Sequence, residues 1–245
     1  MAMNCPMIYK KGTVNQLQGI RQYFSEENFE RLAGIMYSKR VKKGTHLFWE
    51  GDLPEYWYYV KKGSVKITKS ADNGSSITLY RHQDGDLIGH ADCIPNSVHS
   101  FNAEVLEDSE LGLIQQKDLE VLLWQHGDLA VEFMRWLGLM HRMTQTKFRD
   151  LMLFGKPGAL CSLLIRLNNS YGEACGDRIR IGVKMNNSEV AEMIGATRES
   201  VNRMLSDMKK EEVIDMDNGH VIIKDLDYLR DVCHCENCPK DICRV

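Results

Sequence analysis

The 245-residue chain carries 31 lysines and arginines against 34 aspartates and glutamates, a formal net charge of −3, with 43% apolar and 27% charged residues. That length exceeds one minimal domain on the usual scale of roughly 100–200 residues, so two domains with separate cores are expected. No apolar run approaches the roughly 20 residues a bilayer span needs, and residues 1–12 lack a signal peptide's apolar segment, so the expectation is a cytoplasmic protein without a membrane partner.

Residues 13–40 read as short helices, with Ile20, Phe24, Phe29, Leu32 and Ile35 at helical intervals. From Lys39 to about Ile114 the texture changes to short β-branched and aromatic runs punctuated by glycines. Tyr56 to Val60, Ser64 to Thr68 and Ser76 to Tyr80 are examples, and Asp72-Asn73-Gly74 suits a hairpin turn. Evenly spaced short strands of this kind predict an antiparallel roll or barrel.

A shorter helix around Lys117 to Trp124 is followed by a long one from Asp128 to about Leu153. Leu129, Phe133, Leu137, Met140, Thr144, Phe148 and Leu151 recur at three- and four-residue steps, close to a heptad seam. Such a seam serves either a domain core or a partner helix. The flanking Arg135, His141, Arg142, Gln145 and Lys147 favour the partner, with Phe133, Leu137, Met140, Thr144 and Phe148 at a dimer interface. Phe154-Gly155-Lys156-Pro157-Gly158 then ends the helix and makes a hinge.

Beyond the hinge, a helix from Ala159 to Ser170 and a strand near Arg178–Val183 lead into a helix-turn-helix pattern. Asn186 and Glu189 have capping-box spacing, Gly195 suits the tight turn, and Thr197 caps the second helix. The first turn of that helix presents Arg198, Glu199, Ser200, Asn202 and Arg203. Arginine reads guanine O6 and N7 bidentately and glutamate accepts from cytosine N4, so these residues form a candidate DNA-reading face. A hairpin from Val213 to Lys224, turning at Asn218-Gly219, has the place of a wing. No GxSxG, HExxH or phosphate-cradling loop is present, which argues against an enzyme.

Four of the eight cysteines fall in the last thirteen residues. Cys235, Cys238 and Cys243 lie within one short loop, and in a reducing compartment this spacing serves iron–sulfur or zinc ligation, with His234 available as a nitrogen donor.

The order of β-roll, long helix, hinge and winged helix-turn-helix, together with Ala196-Thr197-Arg198-Glu199-Ser200-Val201-Asn202-Arg203, resembles the CRP/FNR family of transcription regulators over nearly the whole chain. The resemblance implies an α+β fold with a cyclic-nucleotide-binding-like roll over residues 1–127, a dimerisation helix over 128–154, a DNA-binding domain over 155–232 and a cysteine tail over 233–245. It further implies a homodimer that reads a TGTGA-like inverted repeat of double-stranded DNA through Arg198, Glu199 and Arg203, and that contacts RNA polymerase. Half-sites about one helical turn (~34–36 Å) apart match a two-fold protein.

Members of the family that bind cyclic nucleotides carry glycine–glutamate and arginine–serine pairs. Here Gly89 is followed by His90, and the stretch Ser97-Val98-His99-Ser100 offers no arginine, so no cyclic nucleotide is expected. His82, His90 and His99 with Cys93 are ordinary roll residues or a metal site.

Only Cys5 precedes the roll, unlike other FNR proteins, and the tail is similar to that of the Bacillus-type FNR. That likeness implies a [4Fe-4S] cluster on Cys235, Cys238 and Cys243, with Asp150 as fourth ligand ahead of Cys233, and oxygen sensing in anaerobic gene expression. The alternative is a zinc-stabilised or small-molecule-responsive regulator of the same fold.

Overall fold

The computed structural model describes residues 19–74, 76–90 and 97–245. Cys5 and Cys93 therefore lie outside the described residues. The chain divides into two compact units, one within Leu17–Thr144 and one formed by Gln145–Val245.

The first unit opens with a 3-10 turn, Gly19–Tyr23, and helix α1, Glu26–Gly34, which Ser25 caps by accepting from Asn28 N. Eight strands follow: β1 (Tyr37–Val41), β2 (His46–Phe48), β3 (Tyr56–Lys62), β4 (Ser64–Ser70), β5 (Ser76–Gln83), β6 (Leu87–Ile88), β7 (Asn102–Val105) and β8 (Ser109–Gln115). They form two four-stranded sheets, ordered β1-β8-β3-β6 and β2-β7-β4-β5. Tyr37 and Ser38, expected at the end of the helical stretch, belong instead to β1, two residues before the change to strands expected at Lys39. Tyr37 to Val41 pair antiparallel with Leu113 to Ser109, and this ladder overrides the local helical periodicity.

Between the sheets lie Val41, Phe48, Tyr58, Val60, Val65, Ala103, Val105 and Leu111. The alternation of inward and outward side chains along a strand supplies this interior. Gly89 has a packing reason to be glycine, because a Cβ there would meet the Trp57 ring at 2.1 Å.

Helix α2 (Gln116–Gln125) follows the roll, and α3 (Gly127–Tyr171) contributes its first part to this unit. Leu129, Phe133 and Trp136 of α3 pack with Ile20, Phe24, Leu32 and Trp57 in a second core cluster. Trp57 and Phe133 meet edge to face, ring centroids 5.2 Å apart.

In the second unit α3 is broken at Gly155, whose φ of 61° and ψ of −163° are non-helical. The hinge segment thus kinks α3 rather than ending it. Pro157 lies two residues on, in the first turn after the break, where its missing N–H costs least. Strands β9 (Gly172–Cys175) and β10 (Arg178–Ile181), helices α4 (Asn187–Ile194) and α5 (Arg198–Lys210), strands β11 (Ile214–Asp217) and β12 (His220–Ile223), and helix α6 (Leu226–Val232) complete the unit. The strands form one sheet ordered β11-β12-β10-β9. The β11–β12 turn has Asn218 at φ 47° and Gly219 at φ 84°, the two positive dihedrals a type I′ hairpin needs. The core runs from Leu160 and Leu164 of α3 through Val190, Ala191, Val201 and Leu205 to Leu229, Cys243 and Val245.

Candidate functional site

The helix-turn-helix is held by local hydrogen bonds. Asn186 Oδ1 accepts from Ser188 N and Glu189 N at 3.0 Å each, and Glu189 Oε2 accepts from Asn186 N at 2.8 Å. Gly195 takes the left-handed conformation that ends α4 (φ 61°), and Thr197 Oγ1 accepts from Ser200 N at 3.2 Å to start α5. Val201, Leu205 and Met208 bury one face of α5. Arg198, Glu199, Asn202 and Arg203 stand exposed on the other. Two of the five expected reading residues also have duties inside the domain. Ser200 Oγ accepts from Thr197 Oγ1 at 3.1 Å, and Asn202 Oδ1 accepts from the Asn187 amide on α4. Asn187 was not singled out in the sequence. Its bond joins residues fifteen apart, a distance over which periodicity gives no signal.

A second constellation surrounds Asp150, which is only 2% exposed. Its Oδ1 accepts from Arg149 Nε (3.0 Å) and Nη2 (2.6 Å). Its Oδ2 accepts from the Ser162 hydroxyl and from Arg166 Nη2 at 3.1 Å. Arg166, itself buried, donates further to Thr146 Oγ1 (3.0 Å), to Ser162 Oγ (3.2 Å) and to the carbonyl of Ile242 (3.0 Å). Asn169 donates to the carbonyl of Cys243 at 2.7 Å, and Val245 N donates to Ser170 Oγ at 3.1 Å. These bonds fasten the cysteine tail to α3. Arg149 Nη1 stands 2.5 Å from Glu236 Oε2, an ion pair without hydrogen-bond geometry, so it contributes chiefly by charge.

The thiols fall into two sets. Burial pushes Cys161 and Cys233 up to about 12, and Cys233 Sγ lies 3.7 Å from the carbonyl of Arg230, so both are neutral, inward-facing groups. Cys243 is raised by burial, lowered by Arg166, and raised again by Cys235 and Cys238, which places those three thiols within electrostatic reach of one another. Cys235 and Cys238 are half-buried. Asn237 between them takes φ 52°. Nearby Lys147 is pushed down to about 7, by desolvation first and then by Arg166 and Arg244, so cations crowd this region. Among the described residues, no three histidine, cysteine or acidic side chains converge as for a single metal ion. The His234 ring stacks on Phe154 with centroids 4.8 Å apart. The sequence flagged Asp150 and the cysteines but did not assign partners to them: Ser162 and Arg166 reach Asp150 across the kink in α3, and Glu236 reaches Arg149 from the tail.

Among the described residues of the roll the histidines form no metal-type cluster, and Cys93, the fourth member of the set, lies outside the described residues. His99 stacks on Phe48 at 3.6 Å, and burial first, then His90, lowers its pKa to about 4, so it is neutral at physiological pH. His90 Nε2 lies 3.1 Å from Ser97 Oγ, and His82 lies 3.7 Å from Asp86. A cleft of about 660 Å³ is lined by His46, Phe48, Asp52, Tyr58 and His99 among others.

The exposed stripe of α3 differs from the expected seam. Phe133 is 4% exposed, and Leu137 and Met140 pack partly buried against the same core, so these three face inward. Thr144 Oγ1 is paired with the Tyr80 hydroxyl. Val131, Met134, Gly138 and His141 are exposed instead, and the same three–four step continues through exposed Gln145, Phe148 and Met152. Two stripes of similar spacing coexist on this helix, and the more apolar one took the core.

Comparison with known proteins places these features. The cyclic nucleotide-binding domain family matches residues 38–126, and the Crp-like helix-turn-helix domain family matches residues 158–232. The chain is 41% identical over 223 residues to the anaerobic regulatory protein of Bacillus subtilis (strain 168), covering 90% of this chain and 94% of that protein. It is 28% identical over 197 residues to the listeriolysin regulatory protein of Listeria monocytogenes, covering 78% and 83%. Among solved structures, a CooA mutant from Carboxydothermus hydrogenoformans superposes with a TM-score of 0.71 at 19% identity, covering 82% of this chain and 89% of that one. No helix among the described residues is long and apolar enough to cross a membrane. With a nucleotide-binding-type roll, a helix-turn-helix of this geometry and a relative sharing two-fifths of its residues, the chain belongs to the CRP/FNR family of DNA-binding transcription regulators, which are not enzymes.

Proposed function

We propose that this regulator controls anaerobic gene expression, carrying an oxygen-labile [4Fe-4S] cluster on Cys235, Cys238, Cys243 and Asp150 and binding a TGTGA-like inverted repeat as a cytoplasmic homodimer that contacts RNA polymerase. The observation that carries the reading is the docking of the cysteine loop onto α3 beside Asp150, through Arg166 to Ile242 and Asn169 to Cys243. Three thiols and one carboxylate fit a cluster that leaves one iron without a protein thiolate. The guanidinium groups of Arg149 and Arg166 beside the thiol loop fit an anionic, thiolate-ligated group. Two positive-φ residues of the tail, His234 and Asn237, fit a backbone wrapped closely around a guest. The name of the Bacillus subtilis relative, an anaerobic regulatory protein, agrees with the reading.

When bound, the cluster supplies the centre at which oxygen is sensed. The residues of the chain do the rest. Cys235, Cys238 and Cys243 hold the tail, Arg166 and Ser162 fix the buried side of Asp150, and Asn169 anchors the last cysteine. Holding the tail on α3 biases a two-state element, and its release is the physical content of the switch. In the DNA-binding unit Arg198, Glu199 and Arg203 present base-reading groups, with Ser200 and Asn202 at the same helix turn.

The test is anaerobic purification with iron, sulfide and zinc analysis and a visible spectrum. Iron and sulfide at about four per chain, lost in air together with specific DNA binding and absent from Cys238→Ser, are expected. Stoichiometric zinc, or no metal at all, overturns the cluster and turns attention to the roll cleft as a small-molecule site.

The dimer seam is assigned to the exposed stripe that includes Val131, Met134 and Phe148. Met134→Glu and Phe148→Glu each place a charge in that seam, and light scattering should show dimer dissociation about a hundredfold easier, roughly 2.7 kcal/mol. A dimer that both variants leave unchanged moves the interface elsewhere.

A further inference from the structure

We infer that Arg149 is a place-holding cation, which occupies the open side of Asp150 while the tail site is empty and withdraws towards Glu236 when the site is loaded. The inference rests on the cluster reading given above. It begins with an asymmetry between the two oxygens of Asp150. Oδ2 is held from inside by Ser162 and by Arg166, whose side chain is 5% exposed, whose Nη2 also donates to Thr146, and whose Nε and Nη1 are spent on Ser162 and Ile242. Moving either partner would open the packed interior of the unit.

Oδ1, by contrast, takes its hydrogen bonds from Arg149 alone among the described residues. Arg149 is the more accessible of the two arginines, with a side chain 22% exposed against 5% for Arg166. Its second anion, Glu236, is 64% exposed and sits between Cys235 and Cys238 in the thiol loop. Arg149 therefore joins, by charge, the two chain segments that a shared metal group would join by coordination. A carboxylate whose far oxygen keeps its hydrogen bonds while its near oxygen is offered has the arrangement seen around metal-ligating carboxylates. Ligation through Oδ1 excludes its two hydrogen bonds from Arg149, whose Nη1 already stands beside Glu236, so the guanidinium keeps that anion and frees Oδ1.

A merely structural arginine and a place-holder differ in the sign of their mutational effect. The experiment uses the full-length protein, metal-free and then reconstituted anaerobically with equal amounts of ferrous and ferric iron and with sulfide. Loading is followed by visible absorption and by iron and sulfide content. Arg149→Gln removes the competitor for Oδ1, a charge-assisted hydrogen bond, and should load about tenfold faster to the same final stoichiometry. In the metal-free state its residues 233–243 should exchange amide hydrogens faster than those of the parent, because the bridge is gone. Glu236→Gln removes the resting place and should load more slowly. This variant changes an exposed side chain, so it keeps the test alive if Arg149→Gln folds poorly.

Slower or incomplete loading of Arg149→Gln, or equal loading by both variants and the parent, overturns the place-holder role while leaving the cluster reading intact. If the unmodified protein takes up no iron and sulfide, the cluster reading itself fails and this inference with it.

Discussion

Replacing Arg203 with alanine is expected to weaken binding to the inverted repeat by roughly 2–6 kcal/mol, because each dimer loses two base-reading arginines worth about 1–3 kcal/mol apiece. The side chain is exposed on the face of α5 opposite Val201 and Leu205, so the substitution leaves the domain core untouched. Fluorescence anisotropy with the specific duplex and a scrambled one, each at two salt concentrations, separates the two roles an arginine can have. A base-reading residue loses affinity for the specific site while non-specific binding and the salt slope hold. If both duplexes weaken alike and the salt slope falls by about one per arginine removed, Arg203 is a phosphate contact. Arg198→Ala should behave as Arg203→Ala does, since Arg198 also stands exposed, in the first turn of the reading helix.

Arg166→Met should destabilise the metal-free second unit by about 3–5 kcal/mol, the usual cost of stranding one partner of a buried ion pair. The guanidinium holds Asp150 and Ser162 on one side and the Ile242 carbonyl on the other, so its loss leaves a buried carboxylate poorly compensated and loosens the tail. Urea unfolding reads the change. Asp150→Asn in the same background should recover part of the loss, and the non-additivity of the two substitutions measures their coupling. Strict additivity would show that Arg166 acts through Ile242, Ser162 and Thr146 rather than through Asp150. Arg166 holds the inner oxygen of Asp150 and Arg149 the outer one, so a substitution at Arg166 reads out on folding and one at Arg149 on loading.

The long helix shows how far periodicity carries. Leu129, Phe133 and Leu137 repeat at the spacing of a seam, and so do Val131, Met134, Gly138 and His141. Spacing says that a face is shared; it does not say with what. The roll and α1 claimed Phe133 and Trp136 because Trp57, Phe24 and Leu32 offered an apolar surface already assembled from distant segments. The same competition turned residues 37–41 into a strand once β8 lay alongside.

Local chemistry was legible from the sequence alone. The capping box of Asn186 and Glu189, the left-handed Gly195, the Thr197 cap, the type I′ turn at Asn218-Gly219 and the break at Gly155 all rest on hydrogen bonds or dihedrals spanning a few residues. The order of these elements and the cysteine spacing identified the fold and the family. Only the tertiary structure decided which face of α3 is buried, which thiols are sealed away and which remain at the loop. It also decided that Asp150 meets Arg149, Ser162 and Arg166 beside the returning tail. The Asp150 contacts span one to sixteen positions across the break in α3, and Arg166 reaches seventy-six positions on to the Ile242 carbonyl. They are set by long-range packing, for which neither spacing nor composition leaves a mark on the chain.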